Sequence, residues 1–204
     1  QSHMKEIMSL GLSSVLSGTV GALSISFTLI LIGNYISLHG VTIYAIPLGL
    51  ISYPSMFINT FLISFTTLSS ELNERGHFKQ IKKINLLAIK YSFAINISIF
   101  FGTILFGYAF LELWVGISFN LNDLNKIYIV LVLLMVGFIL GQIHNSSGRI
   151  LISLGKHWIV STINLLGSAL GIILGYIFLK YYSFGIIGAA IGWLISSFVI
   201  NFIF

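Results

Sequence analysis

Apolar positions run along this chain in long blocks rather than in alternating stripes. From Ile7 to Ser69 there is no Asp, Glu, Lys or Arg at all. Polar clusters then interrupt the blocks at a few places, the largest being SELNERGHFKQIKKIN, Ser70 to Asn85. A membrane-crossing helix needs roughly 20 consecutive, mostly apolar residues. On that measure the pattern predicts six spans, at about residues 9–36, 42–69, 87–111, 127–147, 158–179 and 184–204. The first two are separated only by the short, uncharged Leu38-His39-Gly40. The expected fold is an all-α integral membrane protein, residues 5–204 forming one bundle of six transmembrane helices.

Composition supports this. The chain has 204 residues, of which 57% are hydrophobic and 7% charged, and its mean hydropathy is +1.03. Soluble domains carry about 25% charged residues, so this one could not cover a water-facing surface. The net charge of +5 is small, and topology accounts for it without nucleic acid. There is no Cys, hence no disulfide framework and no thiolate metal site. Gln1 to Met4 reads as a protease-site and cloning scar, and the apolar run after it is too long for a cleavable signal. The last residues stop inside an apolar run, so the chain is expected to be a piece of something longer.

Charge orients the bundle. Basic residues favour cytoplasmic loops. With the N-terminus inside, Lys5, Arg75, Lys79, Lys82, Lys83, Lys90, Arg149 and Lys156 fall on the inner side. Only Lys126 and Lys180 fall outside. This predicts an N-in, C-in protein with the Ser70–Asn85 segment as its main cytoplasmic anchor. Phe78, Ile81 and Ile84 in that segment suit a short amphipathic helix on the membrane surface. Lys90 lies about a turn inside span three, from where it can snorkel to the inner surface. Tyr35, Trp114, Tyr181 and Tyr182 at the outer ends, and Trp158 at the inner, fit interfacial belts.

Both prolines, Pro47 and Pro54, fall in span two. Each removes a backbone donor and tends to bend a helix, so this span is expected inside a bundle, where neighbours can satisfy the freed carbonyls. Glycines recur every four residues: Gly137 and Gly141; Gly167, Gly171 and Gly175; Gly188 and Gly192. That spacing lets helix backbones approach closely and points to packing among spans four to six.

Catalytic sets are weak. His144-Asn145-Ser146-Ser147-Gly148 invites comparison with rhomboid proteases, six-span enzymes with a Gly-x-Ser-Gly nucleophile motif. Here Asn145 stands at the first position, and beyond His157 at the entrance no later span supplies a His base. His39, His77, His144 and His157 stand far apart, with no metal-ligand spacing. Glu112 and Asp123 flank an outer loop and are expected to face water. No cofactor motif and no metal set is present, and the chain reads as a non-enzyme. What remains is uncharged polarity within the spans. Ser17, Gly21, Ser24 and Thr28 share one helical face. Asn34 follows near the outer end, with Ser52, Tyr53 and Asn59 on span two, Asn96 on span three and Asn164 on span five. Polar residues in spans usually face a bundle interior or a water-filled cavity.

Three stretches, in order, resemble the polysaccharide flippases of the multidrug/oligosaccharidyl-lipid/polysaccharide exporter superfamily. They are FTTLSSELNERGHFKQIKKI, LELWVGISF, and ILISLGKHWIVSTINLLGSALGIILGYIFLKYYSFGIIGAAIGWLIS. The match spans nearly the whole chain. It departs at Thr66-Thr67, where the family often has a Pro. The resemblance implies the C-terminal six-helix half of a twelve-helix, two-lobed transporter in the bacterial cytoplasmic membrane. The partner is then a second six-helix half, or a second copy. The implied activity is alternating-access flipping of a lipid-linked oligosaccharide, a polyprenyl-diphosphate glycan. The first two helices of a half line the cavity in this family. That makes Ser17, Ser24, Thr28, Asn34, Ser52 and Asn59 the expected hydrogen-bonding groups for sugar hydroxyls. Cations for the diphosphate are expected from the other half. A drug/cation antiporter of the same superfamily should carry an intramembrane carboxylate, which this chain lacks. A non-transporting membrane scaffold would need no cavity.

Overall fold

A computed structural model describes the backbone of residues 2–182 and 184–203, and side chains at residue 11 and within residues 19–142, 145–182 and 184–201. The protein is all helical: α1 (Ser2–Tyr35), α2 (Leu38–Glu74), α3 (Phe78–Val115), α4 (Leu121–Ser153), α5 (His157–Lys180) and α6 (Gly185–Ile203). Helices α2 to α5 are each long and apolar enough to cross a bilayer. Over their described side chains, α1 and α6 carry shorter apolar stretches, Thr19–Tyr35 and Gly185–Asn201.

Two connections are sharper than the sequence pattern suggests. The break after α1 falls at Ile36-Ser37. Leu38, His39 and Gly40 already form the first turn of α2, because the Ser37 hydroxyl accepts a hydrogen bond from the Gly40 amide at 3.0 Å and caps the helix. The expected surface helix after Ser70 is absent as a separate element. Helix α2 runs on to Glu74 and stops in a Schellman turn. There Gly76 takes φ = +70°, its amide donates to Asn73 O, and the His77 amide to Leu72 O. Phe78, Ile81 and Ile84 then become the opening turns of α3, since no Gly or Pro interrupts the chain from there until Gly102. The Leu-Gly-Lys loop after α4 repeats the device. Gly155 has φ = +76°, and its amide and that of Lys156 return to Ile152 O and Leu151 O.

Helix α4 is the hub. It packs against α2, α3, α5 and α6, and α1 leans on α5 and α2. Half of its most apolar window is buried by protein, against 28% for α2 and 17% each for α3 and α5. The apolar core follows: Ile32, Ile43, Ile58, Leu62, Leu111, Ile127, Val130 and Leu134 are all essentially inaccessible. Pro47 and Pro54 sit within α2, which stays helical through both; Pro47 is fully buried.

The glycine spacing is spent inside the chain. A methyl group on Gly192 would overlap the backbone of Gly175 and Leu174. One on Gly188 would press on the Phe178 backbone, and one on Gly137 on the Trp193 ring. The Ser196 hydroxyl crosses this seam to donate to Gly167 O at 2.6 Å. Gly141 meets nothing within 4 Å: it borders open space.

At one end of the bundle the helices are tied by polar contacts. The imidazole of His39 at the start of α2 lies 2.9 Å from the Asp123 carboxylate at the start of α4 and stacks on Phe119. Lys126 approaches the same carboxylate at 3.6 Å. Asp123 therefore does not face water: it is 8% exposed, enclosed because the start of α4 docks beside the start of α2. Lys180 donates to the Tyr176 hydroxyl at 2.7 Å. Its ammonium also stands within 5.2–5.8 Å of the Tyr35, Tyr176 and Tyr181 rings, joining the ends of α1 and α5.

Candidate functional site

Gly141 opens onto a cavity of about 480 Å³ between α2, α4, α5 and α6. Its polar wall comes from one stripe of α4. Gln142, Asn145 and Arg149 stand at i, i+3 and i+7, so they share a helical face, and all three line the space. Helix α2 adds Ser55. Helix α5 adds His157, Ser161 and Asn164, and α6 adds the Trp193 ring. No Asp or Glu lines it.

Asn59 on α2 organises the polar wall. Its side-chain oxygen accepts from Asn145 Nδ2 at 3.2 Å and from Arg149 Nη2 at 3.0 Å. Its own amide nitrogen lies 3.4 Å from the Ser55 hydroxyl. A single carboxamide thus ties α2 to α4 across the edge of the cavity. Arg149 is half-buried. Its Nε is fully enclosed and makes no hydrogen bond among the described residues, and the same holds for the Gln142 side-chain oxygen. Unpaired buried polar atoms are costly in a protein interior, and a cavity is where a ligand or water could satisfy them.

A second, smaller cavity of about 240 Å³ lies between α1, α5 and α6. It is lined by Gly21, Ser24, Ser168, Ser196 and Ser197, and shares Asn164 and Trp193 with the first. The two spaces are therefore neighbours that share one aromatic ring and one amide.

The residues expected from sequence scatter over this arrangement. Asn59 bonds the wall of the larger cavity and Ser24 lines the smaller. Thr28, half-buried, gives its hydroxyl to Ser24 O at 2.9 Å. Ser52 is exposed on α2 and bonds Gly49 O at 2.6 Å. Asn34 is exposed near the end of α1. The side chain of Ser17 lies outside the described residues, as does that of His144. Ser146 is buried and bonds Gln142 O at 2.9 Å, the ordinary bond of a hydroxyl inside a helix. Among the described residues no group of three or more His, Asp or Glu could hold a metal.

Sequence reading missed the α4 stripe. It took Arg149 as an inner-loop charge, whereas α4 continues four residues past it and holds it against the cavity. The signal was present in QIHNSSGRI, whose Gln, Asn and Arg repeat at helical spacing.

Solved structures resemble the whole chain. A MATE transporter in a bent conformation superposes with a TM-score of 0.91 at 18% identity, covering 100% of this chain and 44% of that one. The outward-facing form of a multidrug resistance MATE family transporter of the MOP superfamily gives 0.90 at 18%, covering 100% and 45%. A MOP superfamily transporter from Pyrococcus furiosus, whose reversed binding-pocket polarity is taken to suggest a different function, gives 0.82 at 17%, covering 98% and 43%. At such identities the likeness establishes the fold. The chain has the fold of half a MOP superfamily, MATE-like transporter, and spans under half the length of the structures it matches. No protein-family profile and no curated protein matches the sequence.

Proposed function

We propose that the chain is one half of a flippase that moves a lipid-linked oligosaccharide, a polyprenyl-diphosphate glycan, across a bacterial cytoplasmic membrane. The observation that carries this reading is the cavity wall. It offers amides, hydroxyls and an indole, the groups that suit sugar hydroxyls and sugar faces, beside the Arg149 guanidinium and the His157 imidazole, and no carboxylate. An antiporter of drugs or cations that bound its coupling ion in this half would need an acid there. A scaffold would have no reason to keep unpaired polar atoms around an open space. The motif order along the chain supports the same family. The cycle would be alternating access by rocking against a second six-helix half, or a second copy. The glycan headgroup would cross between the halves while its lipid tail stays in the bilayer.

The test is export of the lipid-linked glycan in the producing cells. Asn59→Leu and Asn164→Leu should lose most export at unchanged protein abundance, with glycan lipid accumulating on the inner leaflet. Undiminished export in both variants would refute the proposal. Loss of drug extrusion instead would favour the antiporter.

A further inference from the structure

Among the described residues Arg149 has no acid to answer it. The chain contains five acidic residues, and those described lie elsewhere. Glu71 pairs with Arg75 on the exposed end of α2, and Glu74 is exposed beside it. Glu112 borders the turn after α3, and Asp123 is held by His39 and Lys126 at the opposite end of α4. The one described hydrogen bond of the Arg149 guanidinium goes to a neutral amide oxygen, and its Nε is buried and unpaired. A cation in a partly desolvated site favours an anion beside it. Arginine is the side chain best shaped for an oxyanion, because its N–H groups fork in a plane.

The surroundings complete a site of that kind. Asn145 presents an amide next to the guanidinium. Ser55 adds a hydroxyl from α2 on the same cavity wall. Gln142, 4% exposed, keeps an unpaired carbonyl oxygen, an acceptor suited to the hydroxyl of a singly protonated phosphate. We infer that the cavity around Arg149 binds a phosphate-class oxyanion, carried either by a membrane lipid headgroup or by a soluble phosphate. The inference deepens the glycan reading, whose cargo carries a diphosphate, and names the part of that cargo this wall would hold. A transporter of any other cargo with this wall would still bind the anion.

The experiment uses the protein extracted in mild detergent with whatever partner half it retains, and needs no glycan. Inorganic phosphate and pyrophosphate are titrated in one arm, with Trp fluorescence as the readout, since Trp193 lines the cavity. In the other arm the protein is placed in nanodiscs of phosphatidylcholine with or without phosphatidylglycerol, and lipid retained on release is counted by native mass spectrometry. A saturable soluble anion identifies the first source and one retained phosphatidylglycerol the second. In either arm Arg149→Gln should weaken binding about tenfold, Arg149→Lys less, and Lys79→Gln, on the exposed start of α3, should change nothing. Equal weakening by Arg149→Gln and Lys79→Gln would mean bulk surface charge and overturn the inference. So would unchanged binding in Arg149→Gln, or no saturable binding in either arm. If Arg149→Gln does not fold, Asn145→Leu replaces it with the same expectations. Failure of glycan export leaves this result untouched, and failure here leaves the export assay standing.

Discussion

The seam between α5 and α6 and the wall between α2 and α4 are built on opposite terms. At the seam, glycines bring two backbones together until no methyl group fits at Gly192, and the crossing hydroxyl of Ser196 finds a carbonyl. At the wall, large polar side chains bridge α2 and α4 beside an open space, and two buried polar atoms make no hydrogen bond among the described residues. Without a hydrophobic drive between helices in lipid, close packing of small residues is what holds a bundle together. The seam is therefore expected to be the rigid part. The wall leaves Arg149 Nε and the Gln142 side-chain oxygen without a hydrogen bond among the described residues, which is what the proposed anion site requires.

Filling the seam should have the largest effect. Gly192→Val should destabilise the bundle by about 3 kcal/mol, the upper range for overpacking, or prevent its accumulation. Gly141→Ala, which meets open space, should leave stability unchanged; thermal unfolding in detergent measures both. If Gly192→Val is tolerated, the seam is not rigid and the contrast fails. At the wall the order reverses. Asn59→Leu should leave abundance intact and reduce transport about tenfold or more, because the carboxamide bridges two helices at the cavity and not in the core. Transport per unit protein reads this. A fourth change sharpens the comparison at the tied end. Asp123→Asn removes the carboxylate that His39 and Lys126 share, and should lower the unfolding midpoint by less than Gly192→Val without changing cargo preference. Lys180→Gln, at an exposed cluster of tyrosines, should have the smallest effect. A cation over aromatic rings is weak where water competes.

Much of the fold could be read from the residues because lipid leaves few options. Backbone groups in a bilayer must be paired within the segment, so an apolar block of sufficient length has to be a helix. Glycines at i+4 spacing pointed to helix contacts, and all of them but Gly141, which borders the cavity, make one. The helix ends were harder. Capped by Ser37, α2 begins at Leu38, four residues before the start of about residue 42 that the apolar pattern implied. Gly76 lets α2 and α3 overrun their spans, so the basic segment became the ends of two long helices. The candidate site was legible only in part. Asn59 stood out as an amide in an apolar span. Its partners did not, since Asn145 and Arg149 lie 86 and 90 residues away in the chain.

Local chemistry along the chain was enough for the membrane setting, the helical class, the number of helices and the small-residue interfaces. Each follows from what a bilayer or a close backbone contact permits at one position. Which polar groups meet, and which go without partners, was settled by packing. His39 and Asp123 are 84 residues apart and join. Arg149 lies near a loop in sequence and yet faces a cavity, because α4 is the hub of the bundle and runs past it. No single segment carries that information, since the depth of a side chain depends on every helix packed around it.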